Sequence, residues 1–176
     1  MYGFTVVEEI RMTMSPYCLC TTVTPKSLAS LLEGGNGGSY RDDHPWLAAR
    51  ELFLSEQSAG RRVALILAVE DGGTSDAMLS HWALIEDIDV VTLHRGAWAT
   101  RVRFASLTEV NPIWSGIDSL MLKAGDDQLR RESLEPIRQH RQALDSRHVH
   151  PYAVCETPAF IQTNAGATND SSGMGD

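Results

Sequence analysis

Two arginines stand two residues apart in the run Trp98-Ala-Thr-Arg-Val-Arg-Phe104. On an extended strand that spacing puts both guanidinium groups, Arg101 and Arg103, on one face. The planar fork of arginine matches the oxygens of a phosphate better than a lysine ammonium does. Two tryptophans lie beside loop signals: Trp46 follows His44-Pro45, and Trp114 follows Asn111-Pro112. A flat ring held at a loop can stack on a nucleobase, and the Asn111 amide could read a base edge. Core packing is the plain alternative for each ring, and Trp82 and Trp98 read as core. Arg130, Arg131, Arg138, Arg141 and Arg147, with His140 among them and His148 directly after, form a basic concentration. That run also reads as a solvated helix face paired with Glu132, Glu135 and Asp145.

Other groupings carry less. Cys18 and Cys20 share a strand face, His148 and His150 have the same spacing, and Cys155 is near the histidines in sequence. Thiolate and imidazole suit zinc, but neither pair has zinc-finger spacing. Cysteine is among the most buried residue types, so core cysteines, with no metal and no cofactor, are expected. Glu86 falls in the apolar register of Trp82, Leu84, Ile88 and Val90. Desolvation there would make it a general base, whereas a bulge at Glu86-Asp87 would turn it outward, and the bulge or a satisfied hydrogen bond is the expectation. The chain has no Gly-x-x-x-x-Gly-Lys-[Ser/Thr], no Gly-x-Ser-x-Gly, no His-Glu-x-x-His and no Cys-x-x-Cys. Those absences leave the common nucleotide-loop, hydrolase and zinc-protease readings without support.

The elements that must position these groups follow from patterning. Tyr17 to Val23 is a short β-type run. Thr24-Pro25 caps a helix over Ser27–Glu33, ended by the loop Gly34–Gly38. A second helix is expected from near Asp43, with Pro45 in its first turn, and closes at Gly60. Val63–Val69 is continuously apolar, a strand covered on both faces. His81–Leu93 is a second strand, and Trp98 to Phe104 alternates as a third, with Arg95-Gly96 between them. Ser119–Leu122 and Tyr152–Cys155 read as short strands. Asp126 to Leu144 reads as helical, broken at Pro136. The sum is an α+β chain: a small curled antiparallel sheet or partly open β-barrel, with helices packed at one end. Residues 1–162 are expected to form one domain, and 163–176, rich in Asn, Gly, Ser and Thr, a disordered tail.

With 176 residues the chain is the size of one ordinary domain. The net charge of -8 excludes a general nucleic-acid coat, so any nucleic acid must be held at a local site. Residues 1–14 contain Glu8 and Glu9 and no apolar run, and no stretch reaches the roughly 18 residues of a membrane span. A cytoplasmic compartment is therefore expected, with no membrane partner.

The element order from Trp46 to Ile137 resembles the PUA-like superfamily, which includes the EVE, YTH and ASCH domains. The resemblance is carried by Ala48-Ala-Arg-Glu-Leu-Phe53 before the strand in Gly60–Leu67, then His81-Trp-Ala-Leu-Ile85, then Trp98–Leu107. The ASCH signature Gly-x-Lys-x-x-Glu-x-Arg is absent, and a YTH aromatic cage has no residue-by-residue counterpart. The resemblance implies a pocket at one end of a barrel, for a nucleotide or a modified base of nucleic acid. The expectation is a non-enzymatic binding module, with Trp46 or Trp114 stacking, Asn111 reading polar groups, and Arg101 and Arg103 on phosphate. The alternatives are a small hydrolase (an amidohydrolase or nuclease) using Glu86 or His81 as base with Lys123 as charge partner, and a protein–protein adaptor.

Overall fold

The computed structural model describes residues 13–72, 76–123 and 142–161. The expected helix over 126–144, with Arg130, Arg131, Arg138 and Arg141, falls almost wholly outside these residues, as does the 163–176 tail.

The chain is α+β. Its elements are β1 (Thr13–Met14), β2 (Tyr17–Val23), α1 (Pro25–Glu33), β3 (Gly37–Asp42), α2 (Leu47–Ser58), β4 (Arg61–Arg62) and β5 (Ala64–Val69), then β6 (Met78–Thr92), β7 (Trp98–Ala105), β8 (Thr108–Glu109), β9 (Ser115–Gly116) and β10 (Ala153–Glu156). The main sheet runs β10-β2-β5-β6-β7-β3. β5, β6 and β7 form an antiparallel meander, whereas β2 pairs with β5 in parallel. That parallel pairing departs from the expected all-antiparallel sheet. It follows from the long connection through both helices, which returns the chain in the same direction.

Local chemistry explains the first helix. The Thr24 hydroxyl accepts the Ser27 backbone N–H at 3.1 Å, and Pro25 occupies the first turn, where its missing N–H costs nothing. The second helix begins at Leu47, four residues later than the sequence suggests, and no side chain on its own segment caps it. Its entry is tied down from a distance. Trp46 N–H donates to Thr100 Oγ1 at 3.0 Å, and Ala49 N–H donates to the Tyr152 hydroxyl at 3.1 Å.

The sheet divides the interior into two buried clusters. On one face both helices, through Leu28, Ala49 and Phe53, pack with Leu65, Ile85, Val102 and Phe104. The helices therefore cover a face of the sheet instead of one end. On the other face Cys18, Cys20, Ile66, Leu79 and Trp82 are covered by irregular chain through Ile117, Leu120, Leu144 and Val149. β5 lies between the two clusters, and its run Ala64 to Ala68 is buried throughout, as its unbroken apolar sequence requires.

Among the described residues the sheet stays open, because β3 and β10 end it without pairing to each other. It curls, however, until side chains reach across the opening. Tyr40 on β3 donates its hydroxyl to the Thr22 carbonyl on β2 at 3.4 Å, and Trp46 packs on Tyr152. β3 is a correction to the sequence reading, which assigns Gly34–Gly38 to a loop. Glycine offers no side-chain alternation to read. Gly38 sits so close to the Phe104 ring that a Cβ would lie 3.2 Å from it.

Candidate functional site

The chain from β7 through β8 to β9 is an interrupted strand that follows one edge of β6. Glu109 lies opposite His81, and Ser115 lies opposite Leu79. The five residues 110–114 thus face Ser80 alone, and they loop out. Both ends of the excursion are pinned: Val110 N–H donates to the Ser80 carbonyl at 3.0 Å, and Trp114 N–H donates to the Leu79 carbonyl at 2.7 Å. Bulges of this kind re-aim side chains, and this one presents Asn111 and Trp114 to solvent. Trp114 is 48% exposed and holds a left-handed backbone, φ 65°. A bulky residue in that region is uncommon and strained.

Trp46 has a different role. It is completely buried. Its Nε1 donates to Asp42 at 2.6 Å, and its ring lies 4.7 Å from Tyr152 and 5.8 Å from Tyr40. It closes the curl of the sheet and offers no free ring face. Trp98, read as core from the alternation, is 40% exposed. It sits at the hairpin end of β7, opposite Thr92.

Arg101 and Arg103 are exposed on β7 and share a face. Across three strands they form two rungs, Arg41–Arg101–Asp89 and Ser39–Arg103–Asp87. Arg103 reaches Asp87 at 3.8 Å, a surface pair worth little by itself. The face is therefore a mixed ladder of three arginines and two aspartates. Its distance from Trp114 is large: the registers of Leu79 and Asp87 are eight residues apart along β6, roughly 26 Å at about 3.3 Å per residue. The structure groups Asn111 with Trp114, and Arg101 with Arg103, but it does not bring the two groups into one pocket.

β6 bulges again at Glu86, which has no partner between the Ile85–Phe104 and Asp87–Arg103 pairs. The bulge turns Glu86 outward, as expected, and it lines a cavity of about 290 Å³ between α2 and the sheet. Arg61 and Arg62 line the same cavity. Sequence reasoning missed it, because its walls come from α2, β4, β6 and the end of β7. Arg61 is engaged by Glu56, with Nε–Oε2 at 2.7 Å and Nη2–Oε1 at 3.2 Å. The Arg61 guanidinium holds the Glu56 carboxyl below its ordinary range, against the opposing effect of burial.

The remaining titratable groups are dispersed. His81 is 8% exposed and its Nδ1 has no hydrogen-bond partner. Burial holds its pKa below the usual imidazole value, opposed by the Glu109 carboxylate beside it. Lys123 lies over the Tyr17 ring at 5.0 Å, on the β2–β10 side of the sheet, and not beside His81. His148 pairs with Asp145 at 2.6 Å, and His150 with Glu70 at 3.3 Å. Cys18, Cys20 and Cys155 are all buried and free, with Cys155 directly across from Cys18. Burial raises all three thiols, Cys155 to about 12, which makes them poor nucleophiles. Among the described residues no group of three or more His, Cys, Asp or Glu side chains is arranged to hold a metal ion, and no helix is long and apolar enough to cross a membrane.

No protein-family model, no curated protein and no solved structure matches the chain.

Proposed function

We propose that this chain is a non-enzymatic binding module for a nucleotide or modified base of nucleic acid, with Trp114 as the stacking surface. The observation that carries the reading is the Trp114 loop. A large aromatic is held in solvent on a strained backbone, pinned to the sheet at 2.7 Å, with the Asn111 amide on the same loop. Such an outlier supports a role for the residue beyond packing. The Arg41–Arg101–Arg103 face lies farther along the same strand edge, so the ligand that suits both features is a short single-stranded segment. A base would stack on Trp114 while phosphates several nucleotides away meet the arginines. The finer fold reading that accompanies this function is PUA-like. The curl that carries Tyr40 back to Thr22 supports it. The hydrolase alternative lacks a comparable grouping, because Glu86, His81 and Lys123 occupy three separate places.

The test is fluorescence anisotropy with labelled single-stranded oligonucleotides, unmodified and base-modified, at two salt concentrations. The expected salt dependence is shallow, equivalent to roughly one to three phosphate contacts, because the chain is acidic overall. Trp114→Ala should weaken binding by about 1–3 kcal/mol, the usual worth of one stacked base. Lack of binding to every probe at high micromolar protein would reject the reading. Binding unchanged in both Trp114→Ala and the Arg101→Ala/Arg103→Ala double variant would reject the site.

A further inference from the structure

The cavity at the Glu86 bulge shares no residue with the Trp114 loop or the arginine ladder. Its apolar lining is Phe53, Leu84, Ile85 and Ala105, with Phe53 and Ile85 buried, and Gln57 lines it beside them. Its rim carries two opposite charges, Arg62 and Glu86, both exposed. Arg61 already has Glu56 as its partner. Arg62 and Glu86 come within ion-pair distance neither of each other nor of any other described residue. Two exposed charges of opposite sign beside apolar lining residues, neither of them held by an ion pair, suit a ligand that is itself bipolar. Its volume of about 290 Å³ stands at the small end of ligand pockets, which run roughly 300–1,000 Å³. That size admits a molecule of amino-acid dimensions and excludes a dinucleotide.

We infer that this cavity is a second binding site, for a free α-amino acid with an apolar side chain, going beyond the nucleic-acid reading and independent of it. The carboxylate of the ligand meets the Arg62 guanidinium in a charge-assisted, bidentate arrangement. Its ammonium group donates to the Glu86 carboxylate. Its side chain covers Phe53 and Ile85, where removal of apolar surface from water supplies affinity. The bulge leaves Glu86 unpaired between the Ile85–Phe104 and Asp87–Arg103 rungs and exposed where it lines the cavity.

The test is isothermal titration calorimetry of the full chain with L-leucine, L-methionine and L-phenylalanine. Leucinamide, N-acetyl-leucine and 4-methylpentanoate serve as leucine analogues lacking one charge. Binding at millimolar concentration or tighter is expected for at least one of the free amino acids, and each one-charge analogue should bind about tenfold more weakly or not at all. Arg62→Gln and Glu86→Gln, both at exposed positions, should each reduce binding about tenfold while circular dichroism stays unchanged. Trp114→Ala should leave it intact, so failure here is separable from failure of the oligonucleotide experiment. The inference is overturned if no free amino acid binds, if 4-methylpentanoate or leucinamide binds as well as leucine, or if both charge variants bind like the parent.

Discussion

The indole of Trp46 packs against the ring of Tyr152 at 4.7 Å between centroids, with the planes inclined by 37°. One residue follows β3 and the other precedes β10, the strands that end the sheet, so the contact joins the two limits of the curled sheet. The same pair starts the helix, since the Tyr152 hydroxyl accepts the Ala49 N–H that no local side chain caps. Trp46→Ala should therefore cost about 3–5 kcal/mol, the range for a fully buried large aromatic. That is a large fraction of a total stability of about 5–15 kcal/mol. Urea denaturation followed by circular dichroism measures it, and a loss below about 1 kcal/mol would show that the aromatic contact does not hold the curl.

Val102 and Arg103 test the register of β7. Val102 is fully buried between the sheet and the helices, while Arg103 faces solvent. Val102→Asp buries an unpaired carboxylate at a cost of several kcal/mol and should unfold the domain. Arg103→Asp gives up only the 3.8 Å surface pair to Asp87 and places like charges opposite each other, for about 1 kcal/mol or less. Circular dichroism of the two purified variants decides between them, and the reverse outcome would mean a one-residue slip.

Much of this fold is legible in the sequence where local chemistry decides it. Thr24-Pro25 sets the start of α1, the unbroken Ala64–Val69 run marks the doubly covered strand, and the β7 alternation gives its buried face. Legibility fails where partners are distant. The Gly37–Asp42 strand exists because β7 templates it, with Gly38 meeting Phe104. The start of α2 is set by Thr100 and Tyr152, which no window around Asp43 contains. Trp46 is beside a loop signal and yet is sealed by Tyr40 and Tyr152, so its position in sequence misstates its exposure. The Glu86 cavity draws on four elements, and the single local clue to it is a carboxylate out of place in an apolar run.

Trp114 carries a left-handed backbone that glycine adopts freely. Trp114→Gly and Trp114→Ala remove the same ring, so the difference between them reports on the backbone. The glycine variant should be the more stable of the two by about 1 kcal/mol, since a Cβ in that region costs roughly 1–2 kcal/mol and glycine returns part of it as chain entropy. Thermal denaturation of the pair measures the difference. Equal melting temperatures, or a more stable alanine variant, would show that the loop relaxes out of the left-handed conformation once the indole is gone.

His81 gives the chain an acid sensitivity whose sign is fixed by its surroundings. Burial disfavours the imidazolium, so the folded-state pKa lies below the ordinary value of about 6.5, and the Glu109 carboxylate offsets this only in part. Between the depressed pKa and about 6.5, the unfolded chain binds more protons at this position than the folded chain. Stability therefore rises with pH across that window and is flat above it. As pH falls below about 6.5, the parent should lose stability relative to a variant that cannot titrate there. His81→Leu is that variant. It also removes the unpartnered buried Nδ1, whose desolvation costs about 1–3 kcal/mol, so it should be at least as stable as the parent at neutral pH. Urea denaturation of both proteins at about pH 7.5 and about pH 5.5 isolates the contribution, because every other titrating group is common to the two. The expected result is a parent-minus-variant stability difference that moves against the parent in acid. A difference that is constant with pH would show that His81 titrates alike in the folded and unfolded chains. One that moves in favour of the parent would show that Glu109 outweighs burial and that His81 is charged in the fold.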